Sequence, residues 1–289
     1  MTGELGADDA LIELEATQGT AGVGRVIEAG ERARALLDRR VLVGPIDPCG
    51  ECEICRRGGG PVCPTARRRD AWVDRVVANA RWLVTLEGSL DIASPAAAAI
   101  AGDLAIAYTM YARTGVGPSD RVVIAGASPV TRFLVEVLTA KGIAPVVVAD
   151  PAATAWCAWL DRKAAGIARS GGDRDARAAV EAAFAARMPG QRSTQPWRIL
   201  ASTPSALAQA AALAGPRATL TVRGPCGSLP SELVDREVTV IGVAGAHPDL
   251  MTEVAAMCCK GEIDLAGGTA VAADDELRAV VSERPRSNR

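Results

Sequence analysis

Four cysteines lie close together in the segment PCGECEICRRGGGPVC, residues 48–63. They are Cys49, Cys52, Cys55 and Cys63. Two successive Cys-x-x-Cys spacings let backbone turns direct three sulfurs to one point, and the glycine-rich stretch 58–60 lets the chain bring in the fourth. Four thiolates arranged as a tetrahedron are the ligand set that Zn²⁺ takes in structural sites. The segment therefore predicts a metal-bound lobe that stabilises the fold and leaves no ligand position for water.

Two other interpretations of the cluster stay open from the sequence alone. One is a set of buried or redox-active thiols, although such thiols have no reason to recur at this spacing. The other is an iron–sulfur cluster, which the spacing does not exclude. The remaining cysteines have no histidine or acid at ligand spacing, and we expect them to be small core residues. They are Cys157, Cys226, Cys258 and Cys259.

Composition limits the class of protein. A chain of 289 residues can hold two domains or one large one. Lys plus Arg, 32, nearly balances Asp plus Glu, 34, so neither nucleic acid nor a membrane is an expected partner. The run Arg67, Arg68, Arg69 is expected to be a solvated loop. The first residues lack the apolar core of a signal peptide and no stretch is long enough to span a bilayer, which predicts a soluble, cytoplasmic protein.

The sequence pattern changes near residue 95. Before it, LIELEA, GVGRVIEAG and RVLVGPIDP suggest short strands in a mainly-β section. Beyond it, Ala-rich helical segments alternate with apolar runs such as DRVVIAGAS and APVVVAD, which is typical of βαβ units and a parallel sheet. Later strands are predicted over 197–202, 218–224 and 237–245, and a surface helix within 169–192. The last residues, SERPRSNR, are expected to fray.

A dinucleotide fingerprint, G-x-G-x-x-G, would follow the strand in DRVVIAGAS, where glycines let the backbone approach a pyrophosphate at a helix N-terminus. Gly126 keeps the first glycine, whereas Ser128 and Thr131 replace the second and third. Both replacements add bulk, which weakens the prediction of cofactor binding without forbidding it. Asp150 ends the next strand, where an acid would take the ribose hydroxyls and favour NAD. The candidate cofactor residues are therefore Gly126, Ser128, Val130 and Asp150.

In the order and spacing of these features over about residues 18–265, the chain resembles the zinc-containing medium-chain alcohol dehydrogenases. The phrases DAWVDRVVANARWLVTL and ARTGVGPSDRVVIAGA add to the resemblance. It implies an α/β fold, with a Rossmann-type parallel-sheet domain plus a mainly-β GroES-like domain that carries a structural zinc lobe. The expected domains are a GroES-like domain over 1–95 with the zinc lobe at about 45–70, a Rossmann-type domain over 96–250, and a truncated return to the first domain with a tail over 251–289.

The resemblance also implies a catalytic zinc that this sequence does not support. The family's Gly-His-Glu segment corresponds to Gly19, Thr20 and Ala21, which offer neither imidazole nor carboxylate. No cysteine precedes Thr20 to match another family ligand, so we expect a shortened, divergent member. Asp103 is the nearest candidate for a third ligand, and one carboxylate cannot replace the three protein ligands that a catalytic zinc needs. The candidates for proton transfer are Thr20, Asp103 and Tyr108.

Two functions remain as alternatives. The first is NAD(H)-dependent hydride transfer on an alcohol, a carbonyl or an activated alkene, with one structural zinc per chain and no catalytic zinc. The second is a catalytically silent paralogue that serves as a structural or binding subunit. The resemblance further implies a homodimer in which the Rossmann sheets meet edge to edge through EVTVIGV. His247, the single histidine, is expected to cap a helix or lie in a loop.

Overall fold

The structure is a computed structural model that describes residues 5–19, 21–69, 73–86, 92–149, 154–163, 166–169, 173–187, 196–224, 228–265 and 281–283. These residues divide into two compact units. The first unit takes its described residues from Met1–Ala105, Gly245–Ala266 and Ala279–Arg289, and the second unit takes its own from Ile106–Ala244.

Short strands and helices build both units. The described strands are β1 (Asp9–Gln18), β2 (Ala21–Ala29), β3 (Arg40–Val43), β4 (Ile46–Asp47), β5 (Arg67–Arg68), β6 (Arg75–Asn79), β7 (Leu83–Thr85), β8 (Val122–Ala125), β9 (Val146–Ala149), β10 (Gly166–Arg169), β11 (Arg198–Ala201), β12 (Thr219–Arg223), β13 (Thr239–Val243) and β14 (Val281–Glu283). The described helices are α1 (Glu53–Arg56), α2 (Ser94–Ala99), α3 (Ala105–Thr114), α4 (Pro129–Ala140), α5 (Thr154–Arg162), α6 (Asp173–Arg187), α7 (Leu207–Leu213), α8 (Glu232–Asp235) and α9 (Pro248–Cys259). Short 3₁₀ helices lie at Glu31–Leu36, Gly60–Val62, Ala80–Trp82 and Pro204–Ala206, and a wider π turn lies at Ile100–Leu104.

An antiparallel sheet forms the core of the first unit. Its strands run in the order β14-β1-β2-β3-β7, and β6 also pairs with β1. Ala10, Ile12 and Val26 are fully buried on its inner face, because apolar side chains recur at every second position of a strand. β4 and β5 form a separate two-stranded ribbon on either side of the cysteine segment. The mainly-β section predicted from the sequence is confirmed.

A six-stranded parallel sheet forms the second unit, in the order β10-β9-β8-β11-β12-β13. β8 and β9 are buried along their whole length, as strands in a sheet covered on both faces must be. The strands on either side of β8 are β9 and β11, so the strand order reverses there. The carboxyl end of β8 is therefore the switch point at which open α/β sheets bind ligands. The expected combination of a Rossmann-type sheet with a mainly-β section is confirmed.

Two smaller predictions were wrong. The arginine run is not simply a solvated loop, because the side chain of Arg69 is only 9% exposed and pairs with the buried carboxylate of Asp47. The tail does not fray completely, since Ser282 and Glu283 belong to β14, which pairs with the end of β1. Both errors have one cause: a buried charge and the open backbone groups of a strand require partners that are distant in the sequence.

The helix expected within 169–192 is present as α6, whose buried side chains include Val180 and Phe184. Among the residues that the structure describes, no helix combines the length and the apolar character needed to cross a membrane.

Candidate metal centre and cofactor site

A short ribbon holds the two ends of the cysteine segment. β4 and β5 pair antiparallel, with Asp47 opposite Arg67. The Asp47 side chain is 4% exposed and lies 2.8 Å from the Arg67 guanidinium and 3.6 Å from that of Arg69. It also accepts a hydrogen bond from the backbone N–H of Asn79 at 3.3 Å. These contacts offset the cost of burying the carboxylate, so the base of the lobe is fixed by charge as well as by pairing.

The four predicted cysteines converge on one point. Their Sγ atoms all lie within 4.8 Å of one another. Separations are 3.6 Å for Cys49 and Cys63, 3.9 Å for Cys49 and Cys55, and 3.9 Å for Cys52 and Cys63. A tetrahedral zinc with Zn–S bonds of about 2.3 Å needs sulfurs about 3.8 Å apart. Within the described part of the chain, these residues form the one group of three or more His, Cys, Asp or Glu side chains close enough to share a metal ion.

These sulfur–sulfur distances distinguish a single metal ion from an iron–sulfur cluster, which the spacing of the cysteines in the sequence did not. An iron–sulfur cluster places iron and sulfide ions between the thiolates and would hold the cysteine sulfurs farther apart. A single ion fits the observed distances. The cluster thus has the donor set and the spacing of a structural zinc site.

Hydrogen bonds make the four thiols unequal. The amide of Cys52 donates to Cys49 Sγ at 3.5 Å, the amide of Cys55 donates to Cys52 Sγ at 3.4 Å, and the Thr65 hydroxyl lies 3.5 Å from Cys63 Sγ. The Thr65 hydroxyl and nearby backbone amides lower the pKa of Cys49 to about 6, and the same hydroxyl lowers the pKa of Cys63. Burial raises the pKa of Cys55 to about 12. A metal ion must displace the remaining thiol protons, so binding releases protons.

An indole ring covers one side of the lobe. Gly60 packs directly on Trp82, and a Cβ added at Gly60 would overlap the ring. Trp82 also meets the ring of His247 edge to face, with centroids 5.3 Å apart. His247 caps α9, because its Nδ1 accepts the amide of Asp249 at 3.3 Å, which confirms the expected capping role. No local sequence pattern pointed to Trp82, because its contact with Gly60 joins positions far apart in the chain.

The predicted cofactor turn lies at the carboxyl end of β8. Gly126 has a φ of +96°, and a Cβ added there would lie 2.8 Å from Ser202 Oγ and 2.9 Å from Ala206 Cβ. Glycine is therefore required at this position for its backbone and for space. Ser128 caps α4, because its Oγ accepts the amide of Thr131 at 3.2 Å.

Thr131 stands where the fingerprint has its third glycine, and its hydroxyl finds hydrogen-bond partners there. Its side chain is fully buried, and its hydroxyl donates to Gly126 O at 2.7 Å and contacts Ser202 Oγ at 2.6 Å. Sequence reasoning missed Ser202, which reaches the turn from the end of β11. The Thr131 side chain therefore fits between α4 and β8, and its hydrogen bonds stabilise the turn.

The first turn of α4 keeps one free backbone donor. Pro129 has no N–H, and the N–H of Thr131 is taken by Ser128. The N–H of Val130 donates to no residue that the structure describes. An unpaired N–H at a helix start attracts anions, but Val130 is fully buried, so a phosphate could reach this N–H only after the turn rearranges. Asp150, the expected ribose ligand, lies outside the described residues.

The three proton-transfer candidates are found in different settings. Thr20 lies outside the described residues. Asp103 is partly buried in the π turn, next to Gly102, whose φ of −103° and ψ of −111° are not helical. A Cβ on Gly102 would lie 3.1 Å from Ala21 Cβ, so Ala21, fully buried, packs closely here. In the second unit Tyr108 is 3% exposed, with Lys141 Nζ 5.7 Å from its ring centre.

Comparisons with known proteins agree on the fold. No protein-family profile matches the chain. A sorbitol dehydrogenase from Bombyx mori is 36% identical over 67 residues, a segment that covers 23% of this chain and only 19% of that relative. A short-chain alcohol dehydrogenase from E. coli, solved with NADH, has a TM-score of 0.72 at 18% identity and covers 91% of this chain and 84% of its own.

D-arabinose dehydrogenase from Sulfolobus solfataricus has a TM-score of 0.74 at 14% identity, covering 91% of this chain and 90% of its own. At identities of 18% and 14%, these structures show that the fold is similar and nothing more. These solved neighbours are named as dehydrogenases, and their likeness to this chain extends over about nine-tenths of it, at 91% in both. The chain therefore has the fold of the zinc-type medium-chain alcohol dehydrogenases, which is the family that its sequence resembles.

Proposed function

We propose that this protein is an oxidoreductase that binds NAD(H) and transfers a hydride to or from an alcohol, a carbonyl or an activated alkene. The observation that carries the proposal is the turn at the carboxyl end of β8, where Gly126 adopts a φ of +96° and the Val130 N–H is free of described partners. Open α/β sheets bind ligands at this position, and helix starts bind phosphate. One of the solved structures of similar fold contains NADH.

NAD(H), when bound, would supply or accept the hydride. Gly126 would let the backbone approach the pyrophosphate, Val130 would donate its N–H, and Ser128 would line the turn. Asp150 is the proposed acceptor for the ribose hydroxyls. Gly126, Ser128 and Val130 lie at the end of β8 and the start of α4, and Asp150 directly follows β9 in the sequence.

Proton transfer would fall to the chain's own side chains. Asp103 is the strongest candidate, because its carboxylate is only partly buried and can exchange protons with a bound molecule. Tyr108 is nearly fully buried, and Thr20 stays a candidate from the sequence alone. We propose that no catalytic zinc takes part, since Thr20 and Ala21 offer no ligand where the resemblance places a His-Glu pair.

A catalytically silent subunit is the second candidate function. The observation in its favour is that the side chains of Ser128 and Thr131 form hydrogen bonds with backbone groups of the turn. Ser128 Oγ takes the Thr131 N–H at 3.2 Å, and the Thr131 hydroxyl takes Gly126 O at 2.7 Å. A turn stabilised by its own hydroxyls needs no phosphate to hold its shape.

Titration with NADH, followed by fluorescence, distinguishes the two. Saturable binding at micromolar concentrations supports the oxidoreductase, and no binding up to millimolar NADH supports the silent subunit. Asp103→Asn then tests the proton-transfer role: we expect a large fall in turnover with NADH affinity unchanged. If Asp103→Asn turned over as fast as the wild type, Asp103 would have no role in proton transfer.

Metal analysis of the purified chain tests the zinc assignment. We expect one zinc per chain, lost in Cys55→Ser and kept in Cys259→Ser, because Cys259 is exposed and distant from the cluster in sequence. Two zinc ions per chain would contradict the absence of a catalytic metal.

A further inference from the structure

The sulfurs of the metal centre receive hydrogen bonds from two kinds of donor. The backbone amides of Cys52 and Cys55 donate to Cys49 and Cys52, and a substitution that removed either amide would also remove a metal ligand. The Thr65 hydroxyl, 3.5 Å from Cys63 Sγ, comes from a side chain. Cys63 is also the ligand that the glycine-rich stretch must carry back to the other three, so its position depends most on what holds it locally.

The chemistry of a bound metal fixes the direction of this hydrogen bond. A thiolate that ligates zinc carries no proton, so the hydroxyl must be the donor. Four thiolates around one Zn²⁺ leave a net charge of about −2, and each donated hydrogen bond stabilises part of that charge. Loss of one such donor is expected to weaken metal binding.

We propose that Thr65 is a positioning residue of the metal centre, whose hydroxyl holds Cys63 as the fourth ligand and strengthens zinc binding. Thr65 is exposed, so replacing its hydroxyl with a methyl group opens no cavity in the core. Its effect must therefore pass through the sulfur. This inference rests on the zinc site and not on the proposed oxidoreductase activity.

Competition with a chromophoric chelator tests the proposal on the full chain. Thr65→Val keeps the shape of the side chain and removes the donor, and we expect its zinc Kd to rise about tenfold. Thr65→Ser keeps the donor, so its Kd should stay within about twofold of the wild type. Thr252→Val makes the same change on the exposed face of α9 and serves as the matched control.

Substitution with Co²⁺ adds a readout that a merely structural role would not move. Without the hydroxyl, the lone pairs of the Cys63 thiolate are less stabilised, so the sulfur-to-cobalt charge-transfer band should shift to lower energy in Thr65→Val but not in Thr65→Ser. If Thr65→Val does not fold, Thr65→Ala replaces it, because it also lacks the hydroxyl.

Equal zinc affinity and an unshifted cobalt band in the variant without the hydroxyl would overturn the proposal, as would a Thr65→Ser variant as weak as Thr65→Val. NADH titration of zinc-saturated Thr65→Val should match the wild type. Failure of the metal proposal is thereby separable from failure of the proposed function.

Discussion

At the residue scale, Ser128 is one of the two side chains, with Thr131, that replace glycines of the nucleotide fingerprint. The Ser128 hydroxyl occupies the N–H of Thr131, which would otherwise be a second donor beside the N–H of Val130. Caps of this kind stabilise a helix start, and here the cap competes directly with a phosphate for the same group. The position therefore trades stability of α4 against affinity for an anion.

Replacing Ser128 with glycine should shift that balance. We expect Ser128→Gly to bind NADH about tenfold more tightly, because a freed N–H makes a charge-assisted hydrogen bond. The loss of stability should be only a few tenths of a kcal/mol, since glycine is a tolerated cap. Fluorescence titration and thermal unfolding measure the two effects.

Asn79→Gly is the matched control, because it removes a cap at the 3₁₀ turn Ala80–Trp82 in the first unit. It should leave NADH binding unchanged. A Ser128→Gly variant that binds NADH more weakly than the wild type would argue that the serine hydroxyl itself contacts the cofactor.

At the scale of elements, the ribbon of β4 and β5 depends on one buried carboxylate. Burial lowers the pKa of Arg69, while the charge of Asp47 acts in the opposite direction and helps to keep the guanidinium charged. Arg69 also donates to Gly44 O at 3.0 Å and to Val77 O at 3.3 Å, so it is held in place whether or not the carboxylate is present. Removing that carboxylate leaves a buried cation without its counter-charge.

Asp47→Asn should therefore destabilise the first unit by about 3 kcal/mol, measured by denaturant unfolding. Arg67→Ala is the comparison, because the Arg67 side chain is 71% exposed and Asp47 keeps its pairing with Arg69 in this variant, so we expect a smaller loss of about 1 kcal/mol. Similar losses in the two variants would show that pairing of the ribbon, and not the buried charge, holds the lobe.

Local patterns account for what could be predicted from the sequence at this scale. The four cysteines and the strands β8, β9, β11 and β12 were found because spacing and apolar runs are local signals. Trp82, Ser202 and the burial of Arg69 were missed, because each depends on contact between residues far apart in the chain. Thr65 lies two positions after Cys63, and that proximity was the one available signal for it.

At the scale of the whole molecule, β13 is one of the two edge strands of the parallel sheet, and the other is β10. Thr239 N–H and Val243 C=O bond to the β12 side, so the backbone groups of Val240 point away from the sheet. Leu229 and Val234, in the segment before β13, are 48% and 79% exposed. We propose that a second copy of the chain covers this edge, giving the homodimer that the sequence resemblance implies.

Val240→Pro tests this assembly, because proline removes an outward N–H and keeps the bonds to β12. We expect light scattering after size exclusion to give a dimer for the wild type and a monomer for the variant. Thermal unfolding at low protein concentration should be similar for both. A wild-type chain that is monomeric at every concentration would exclude the proposal.

The ribbon that closes the base of the metal lobe has a consequence for descent. Asp47 and Arg67 lie opposite one another, so the chain leaves and re-enters the body of the first unit at a single point. Everything between them, residues 48–66, forms the metal lobe, which also contacts the body of the first unit where Gly60 packs on Trp82 and Arg81 donates to Gly50 O at 2.8 Å. A lineage that lost the metal would therefore also have to replace the contacts that cover Trp82.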